Sequence, residues 1–137
     1  MSNVTSLGRV QPLFKGVYNN LIAYNNLDSK FGLMTFSPHF ERGVKGVGRI
    51  VNLPKGTAEN GATYIHATLF GILSLFKLKE GKLAFEQLEK ILPLTHDILS
   101  TTPFVMPNSY SRNAEAGMDG ESMSDWYTGS ANTLIKS

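Results

Sequence analysis

The chain has no cysteine and a single tryptophan among its 137 residues. Without cysteine it cannot form a disulfide-stabilised scaffold, and it cannot hold a metal ion through thiolates. The absence of cysteine also suits a reducing compartment, so we expect a cytoplasmic protein.

Charge of either sign is present in only small excess. The 13 lysines and arginines nearly balance the 11 aspartates and glutamates, which leaves a formal net charge of +2. The basic residues do not cluster, and the first residues lack the layout of a signal peptide. The longest apolar run, from Ala62 to Leu78, is shorter than the ~20 mostly apolar residues that a membrane-spanning helix needs. We therefore expect neither nucleic acid nor a membrane as a partner.

Apolar residues make up 42% of the chain and charged residues 18%, which is typical of a globular protein. Their spacing predicts a mainly α fold, a single partial domain over residues 1–137, with helices at 12–25, at 62–78, at 82–92 and from about Thr128 to the end. Frequent glycine and proline between 31 and 53 predict an extended segment with turns and a short strand at 48–53. Residues 101–124 are predicted to form a long ordered loop.

The predicted helix at 62–78 is apolar on nearly all sides. Such a helix is buried on most of its surface, so we expect a surface beyond this chain, such as a second subunit, to cover it. The helix at 82–92 has one apolar face and predicts an exposed Glu86–Lys90 ion pair, with Pro93 ending the helix. A tight turn at Lys79-Glu80-Gly81 joins the two into a helical hairpin.

Thr128 and Gly129 stand where the last helix is predicted to begin. Threonine is a good helix N-cap, and the adjacent glycine lets another molecule approach the backbone closely. The unpaired N–H groups and partial positive charge of a helix N-terminus favour phosphate. An ordinary helix cap is the commoner explanation of this pair, which by itself is a weak signal.

His66 and Glu59 lie around the start of the 62–78 helix. A histidine on an apolar helix is more often a core residue, but it can also donate to a phosphate oxygen or carry positive charge near an anion. Glu59 either complements the helix dipole or accepts hydrogen bonds from sugar hydroxyls. His39 and His96 have no metal-ligand spacing, and we predict neither a metal site nor an organic cofactor.

Several motifs carry a resemblance to a known family. They are Gly48-Arg49-Ile50, Glu59-Asn60-Gly61 followed by His66-Ala67, Pro103-Phe104-Val105, and Trp126-Tyr127-Thr128-Gly129-Ser130-Ala131. In order and separation they resemble the inverting glycoside phosphorylases of the cellobiose and chitobiose phosphorylase family. The resemblance covers most of the chain from about Phe31 onward.

The resemblance implies part of an (α/α)6 barrel, to which this chain contributes the late helices. It implies a hexosyl transfer in which inorganic phosphate, as co-substrate, attacks the anomeric carbon of a β-linked glucoside or oligoglucan. An aspartic acid protonates the leaving sugar oxygen, as a carboxylic acid does in inverting glycosidases. By the same resemblance His66, Thr128 and Gly129 hold the phosphate, and Glu59 lies on the leaving-sugar side.

The family's acid aspartate belongs to an earlier part of its sequence, and Asp28 does not match its context. The resemblance therefore predicts a fragment of the catalytic domain that is inactive by itself. Residues 106–122 look closer to members that act on β-1,2-linked glucans, while the linkage stays open.

Two other function classes remain. The chain could be a small non-catalytic helical module that binds a glycan or a protein partner, because its apolar helix needs a covering surface. A hydrolase on the same barrel is disfavoured by the phosphate-binding motif, since hydrolysis needs no phosphate site.

Overall fold

The computed structural model describes residues 25–97, 103–124 and 129–135. In this part of the chain the helices are α1 (Ile65–Lys77), α2 (Gly81–Ile91) and α3 (Ser130–Ile135), preceded by helical residues 25–27. Short strands β1 (Thr63–Tyr64), β2 (Ser109–Tyr110) and β3 (Ser122–Met123) form a small sheet. Two 3-10 helices cover Gly48–Asn52 and Pro93–Thr95. The prediction of a mainly helical fold is confirmed.

Several element boundaries differ from the predicted ones. The predicted helix at 12–25 lies outside the described residues except at its end, which continues to Leu27. The strand predicted at 48–53 is wrong, because Gly48 takes a positive φ of 76° and the Leu53 N–H bonds back to the Ile50 carbonyl at 3.0 Å. This local hydrogen bond closes a 3-10 turn, so the segment does not form an extended strand.

The small sheet explains why α1 begins at Ile65 and not at Ala62. The strands are antiparallel in the order β1-β2-β3, and Tyr110 of β2 pairs with both Thr63 and Ser122. The Ile65 N–H donates to the Asn108 carbonyl at 3.0 Å, which satisfies one backbone donor of a helix that has no side-chain cap. The sheet, which the sequence pattern did not predict, therefore fixes the start of α1.

α1 and α2 pack together as the predicted hairpin. On α1 the residues buried in the core follow a spacing of three or four, as on one side of a helix. The core contains these residues and their partners on other elements: Phe31, Ile65, Leu69, Ile72, Leu75, Ala84, Ile91 and Tyr110. Each fully buried leucine or isoleucine side chain contributes about 1.5–3 kcal/mol relative to exposure.

The turn between the two helices is confirmed at the predicted place. A lysine, not a glycine, takes the left-handed conformation there. Lys79, not Gly81, has the positive φ, at 65°. Its N–H donates to the Phe76 carbonyl and the Glu80 N–H donates to the Leu75 carbonyl, both at 2.9 Å. This is the Schellman arrangement, in which the position after the helix usually favours glycine.

The predicted Glu86–Lys90 pair is wrong. The Lys90 ammonium lies 2.7 and 2.9 Å from the two carboxylate oxygens of Asp28, and the Gln87 side-chain amide donates to the same carboxylate at 2.6 Å. Glu86 lies 4.0 Å from Lys82 instead. Lys90 prefers Asp28 because that pair is largely shielded from water, where a charge–charge contact is stronger than on an open helix surface.

No helix in residues 25–97, 103–124 and 129–135 has both the length and the apolar character needed to span a bilayer.

Candidate functional site

His66 and Gly129 meet at one place, although they are far apart in the sequence. His66 is the second residue of α1, and Gly129 immediately precedes α3. A Cβ atom added to Gly129 would lie 3.4 Å from Cε1 of the imidazole, 3.7 Å from Nδ1 and 3.8 Å from Nε2. The glycine backbone therefore lies directly against the imidazole, as expected if the two residues serve one ligand.

The other predicted phosphate residue, Thr128, lies outside the described residues, as do Trp126 and Tyr127. The His66 imidazole is half-buried. It neither donates a hydrogen bond to any described residue nor accepts one from it. Its ring stacks on the ring of Phe70, one helical turn along α1, with centroids 5.1 Å apart and planes 29° from parallel.

Glu59 lies in the turn that precedes β1, and its carboxylate is paired with Arg49. The Arg49 guanidinium donates to Glu59 Oε1 at 3.1 Å, and the arginine side chain is 83% exposed. Glu59 makes no hydrogen bond to His66 or Gly129. The structure thus brings His66 and Gly129 together, while Glu59 is held separately by Arg49.

Sequence reasoning assigned no role to Arg49. It sits on the 3-10 helix Gly48–Asn52, and the predicted strand there would have given its side chain a different direction. The Arg49–Glu59 ion pair depends on the relative positions of two segments outside the long helices. Neither helical nor strand periodicity in the sequence can predict it. The only available signal was its place in the Gly48-Arg49-Ile50 motif.

The turn that carries Glu59 is held by the side chain of Asn60, which is completely buried. Its Oδ1 accepts from the Phe40 N–H at 2.9 Å. Its Nδ2 donates to the Phe40 carbonyl at 3.1 Å and to the Leu53 carbonyl at 3.0 Å. Asn60 therefore ties three chain segments together beside Glu59.

Gly61 completes the turn in a way that other residues cannot. Its φ is +86°, and a Cβ atom there would collide with the His39 ring and crowd the Phe36 carbonyl. Its N–H donates to the Thr35 hydroxyl at 3.1 Å. Both the backbone conformation and the close approach of His39 require glycine, which gives a physical reason for the Glu-Asn-Gly sequence.

Other polar groups of the described residues have structural partners. Asp119 pairs with Arg112 at 2.7 Å, and the Tyr110 hydroxyl donates to the Ile91 carbonyl at 3.1 Å in the core. The described residues contain no group of three or more side chains placed to hold a metal ion. A cavity of about 500 Å³ lies against the end of α2, and its lining includes Lys30, His96 and Asp97 but none of the predicted site residues.

Residues 15–136 match the protein family described as "Glycosyl hydrolase 94 superfamily, catalytic domain". The match covers nearly the whole chain, including both parts of the His66–Gly129 contact.

Curated proteins similar to the chain are named as phosphorylases. A solabiose phosphorylase of Paenibacillus borealis is 31% identical over 82% of this chain, and a 3-O-beta-D-glucopyranosyl-beta-D-glucuronide phosphorylase of the same organism is 29% identical over 84%. A cellobionic acid phosphorylase of Neurospora crassa is 33% identical over 63%. The matched regions span 15%, 16% and 12% of these relatives, so the chain corresponds to a small part of their length.

Proposed function

Because the chain belongs to the glycosyl hydrolase 94 superfamily, within its catalytic domain, we propose that it forms the phosphate-binding part of an inverting glycoside phosphorylase. Phosphate is the co-substrate of this reaction, and a β-linked glucoside or oligoglucan is the sugar substrate. His66, Thr128 and Gly129 hold the phosphate, and Glu59 contributes to the leaving-sugar side. α1 and α2 are one helical pair of an (α/α)6 barrel.

The observation that carries this proposal is the contact between His66 and Gly129. The imidazole supplies a donor to a phosphate oxygen, and the glycine leaves the space beside it open for the anion. Backbone N–H groups in the first turn of α3 add further donors without side-chain bulk. A core histidine, the plainer alternative, would be surrounded by apolar groups and bonded to backbone, whereas His66 is half-buried at the edge of the hairpin.

The Arg49–Glu59 pair supports the placement of Glu59 near a sugar. Arg49 bonds Oε1 of Glu59, whose side chain is 44% exposed, so within the described residues Oε2 is left to accept a hydrogen bond from a sugar hydroxyl.

The described residues contain no carboxylate that suits the role of general acid beside His66. Asp28, which precedes the site in sequence, is bonded to Lys90 and Gln87 on the far end of α2 and holds the hairpin to its neighbouring segment. We therefore expect the 137-residue chain to bind phosphate without catalysing phosphorolysis.

Phosphate titration of the isolated chain, followed by NMR chemical shifts, tests the proposal. His66→Ala should weaken binding by about tenfold or more, because a hydrogen bond to a charged group contributes about 1.5–3 kcal/mol. Gly129→Ala should also weaken binding, since its methyl group occupies space against the imidazole, while the fold remains stable. Incubation with phosphate and β-linked disaccharides should release no glucose 1-phosphate.

Two controls separate this effect from general damage. Asn52→Ala changes an exposed residue of the 3-10 helix, and Asn132→Ala changes an exposed residue of α3; both should keep the wild-type affinity. Equal affinity of His66→Ala and wild type would contradict the phosphate role. Release of glucose 1-phosphate that His66→Ala abolishes would show instead that the chain is catalytically complete.

A further inference from the structure

Phe70 is the one described aromatic side chain that stacks on His66, and it does so from a largely exposed position. Its side chain is 57% exposed on α1, in contrast to the buried residues of the same helix. Exposing this much aromatic surface to water is unfavourable, and a further segment that packs on this face of α1 would account for an aromatic residue there. Such a segment would not account for the stacking of the Phe70 ring on the imidazole, with the ring centroids 5.1 Å apart.

We infer that Phe70 is a positioning residue that holds the His66 imidazole in the orientation that faces Gly129. The inference rests on the proposed phosphate role of His66. The imidazole contacts both the Gly129 backbone position and the Phe70 ring from the next helical turn, so two neighbours limit the orientations that it can take.

Restricted rotation makes such a contact useful to an anion site. A histidine at the start of a helix can rotate about two side-chain bonds, and binding an anion would otherwise require that freedom to be lost. A stacked ring restricts the rotation before the ligand arrives.

The geometry follows from helix periodicity. Residues four apart on a helix lie on the same side, one turn above the other, so residue 70 is the position from which an α1 side chain can reach His66. Phe76, on the same helix and also partly exposed at 38%, has no ring contact with His66. Phe76 therefore provides a matched control for any effect of removing an aromatic residue from α1.

The test compares Phe70→Leu, Phe70→Tyr and Phe76→Leu in the 137-residue chain with inorganic phosphate as the ligand. Phe70→Leu keeps apolar bulk but removes the ring, and it should weaken phosphate binding by about three- to tenfold, the range expected for an aromatic pair. Phe70→Tyr keeps the ring and should bind within about twofold of wild type. Phe76→Leu should bind like wild type.

A spectroscopic readout separates positioning from stability. In wild type and Phe70→Tyr, a nuclear Overhauser effect should join the His66 Hε1 proton to the Gly129 Hα protons, and the Hε1 signal should show the ring-current shift of a stacked phenyl group. In Phe70→Leu both signatures should be lost while the urea midpoint stays close to that of wild type. An unchanged Overhauser effect and unchanged phosphate affinity in Phe70→Leu would overturn the inference, as would equal weakening by Phe76→Leu.

The same data distinguish failure of the proposed function. If wild type does not bind phosphate but the Overhauser effect still depends on the ring at position 70, the positioning stands and the phosphate role falls. If wild type binds phosphate through His66 and the Overhauser effect is indifferent to the ring, the phosphate role stands and the positioning falls.

Discussion

At the scale of single residues, the buried side chain of Asn60 makes three hydrogen bonds to the backbone of other segments. Its amide side chain takes the place of a backbone partner for Phe40 and adds a bond to the Leu53 carbonyl. Loop segments without a sheet or helix must satisfy their buried backbone groups in some other way, and a buried asparagine can satisfy several of them at once. The position of Glu59 depends on this arrangement because the two residues are adjacent.

Replacing Asn60 with alanine should destabilise the chain by about 2–4 kcal/mol. The change leaves one buried N–H and two carbonyls without their partner, and each unsatisfied buried group costs about 1–3 kcal/mol, reduced where water can enter. Urea unfolding followed by circular dichroism measures the loss. Asn52→Ala, at an exposed position in the neighbouring 3-10 helix, should change the free energy of unfolding by less than about 0.5 kcal/mol. Similar losses in both variants would contradict the role given to the Asn60 amide.

Residues of the candidate site could be predicted unevenly from the sequence. His66 and Gly129 were singled out because they lie near predicted helix starts, and their assignment to a phosphate came from the family resemblance. The exact start of α1 was not predictable, because it is set by the pairing of β1 with β2. Arg49 was missed because its contact with Glu59 depends on the path of a loop rich in glycine. Such paths are decided by tertiary contacts like those of Asn60, which no short-range pattern encodes.

At the scale of elements, the turn between α1 and α2 places a lysine in a backbone conformation that favours glycine. The pattern of Lys79-Glu80-Gly81 predicted a turn, and glycine is the residue that most often takes the left-handed conformation after a helix. α1 ends at Lys77, one residue before its predicted end, so Lys79 takes this conformation and Gly81 begins α2. The position of α1 is set by its buried residues, including Leu75, which packs in the core. The helix therefore ends where this packing places it, and Lys79 falls at the left-handed position.

Lys79→Gly should therefore stabilise the chain by about 1 kcal/mol, because a left-handed conformation costs a residue with a Cβ atom about 1–2 kcal/mol and costs glycine little. The midpoint of thermal or urea unfolding should rise. Lys77→Gly, two residues earlier in the last turn of α1, should lower stability by up to about 1 kcal/mol, as glycine does within a helix. A shift of the same sign in both variants would show that the left-handed strain at Lys79 is not significant.

The elements also show why the start of the first described helix was misplaced. Residues 62–64 fit the apolar pattern of a helix, and nothing local separates them from the residues that follow. Thr63 and Tyr64 pair instead with Tyr110 and Ser109, whose own strand lies in a stretch predicted as a loop. Two-residue strands leave too few positions for an alternating pattern, so a sheet of this size is set by tertiary contacts.

At the scale of the whole molecule, the described part of the chain leaves a large apolar surface uncovered. The exposed large apolar side chains are Val44, Phe70, Phe76, Phe85, Leu94, Phe104 and Ile135. Phe70 and Phe76 lie on α1 and Phe85 on α2, as expected for a hairpin that packs against further helices. Exposed apolar area of this kind marks an interaction surface or an aggregation risk.

The isolated chain should self-associate in a concentration-dependent way, and Phe85→Lys should reduce that association. Phe85 is 56% exposed and belongs to no core contact, so its replacement removes apolar surface with little effect on folding. Sedimentation velocity over a range of concentrations measures the change. Glu89→Gln, at another exposed position of α2, makes the net charge equally more positive and should leave the association as in wild type; an equal reduction by both variants would assign the effect to charge.

If His66 and Gly129 hold an anion as proposed, their contact couples the ligand concentration to the docking of α3 on α1. An anion that touches both residues binds only the conformation in which α3 is docked on α1, so by mass action it favours docking. At a ligand concentration of 100 times Kd the gain is about 2.7 kcal/mol. The coupling is reciprocal: where α3 is docked in only a fraction of molecules, the apparent affinity for the anion falls by that fraction. The supply of phosphate would then influence how often the site is assembled as well as how often it is filled.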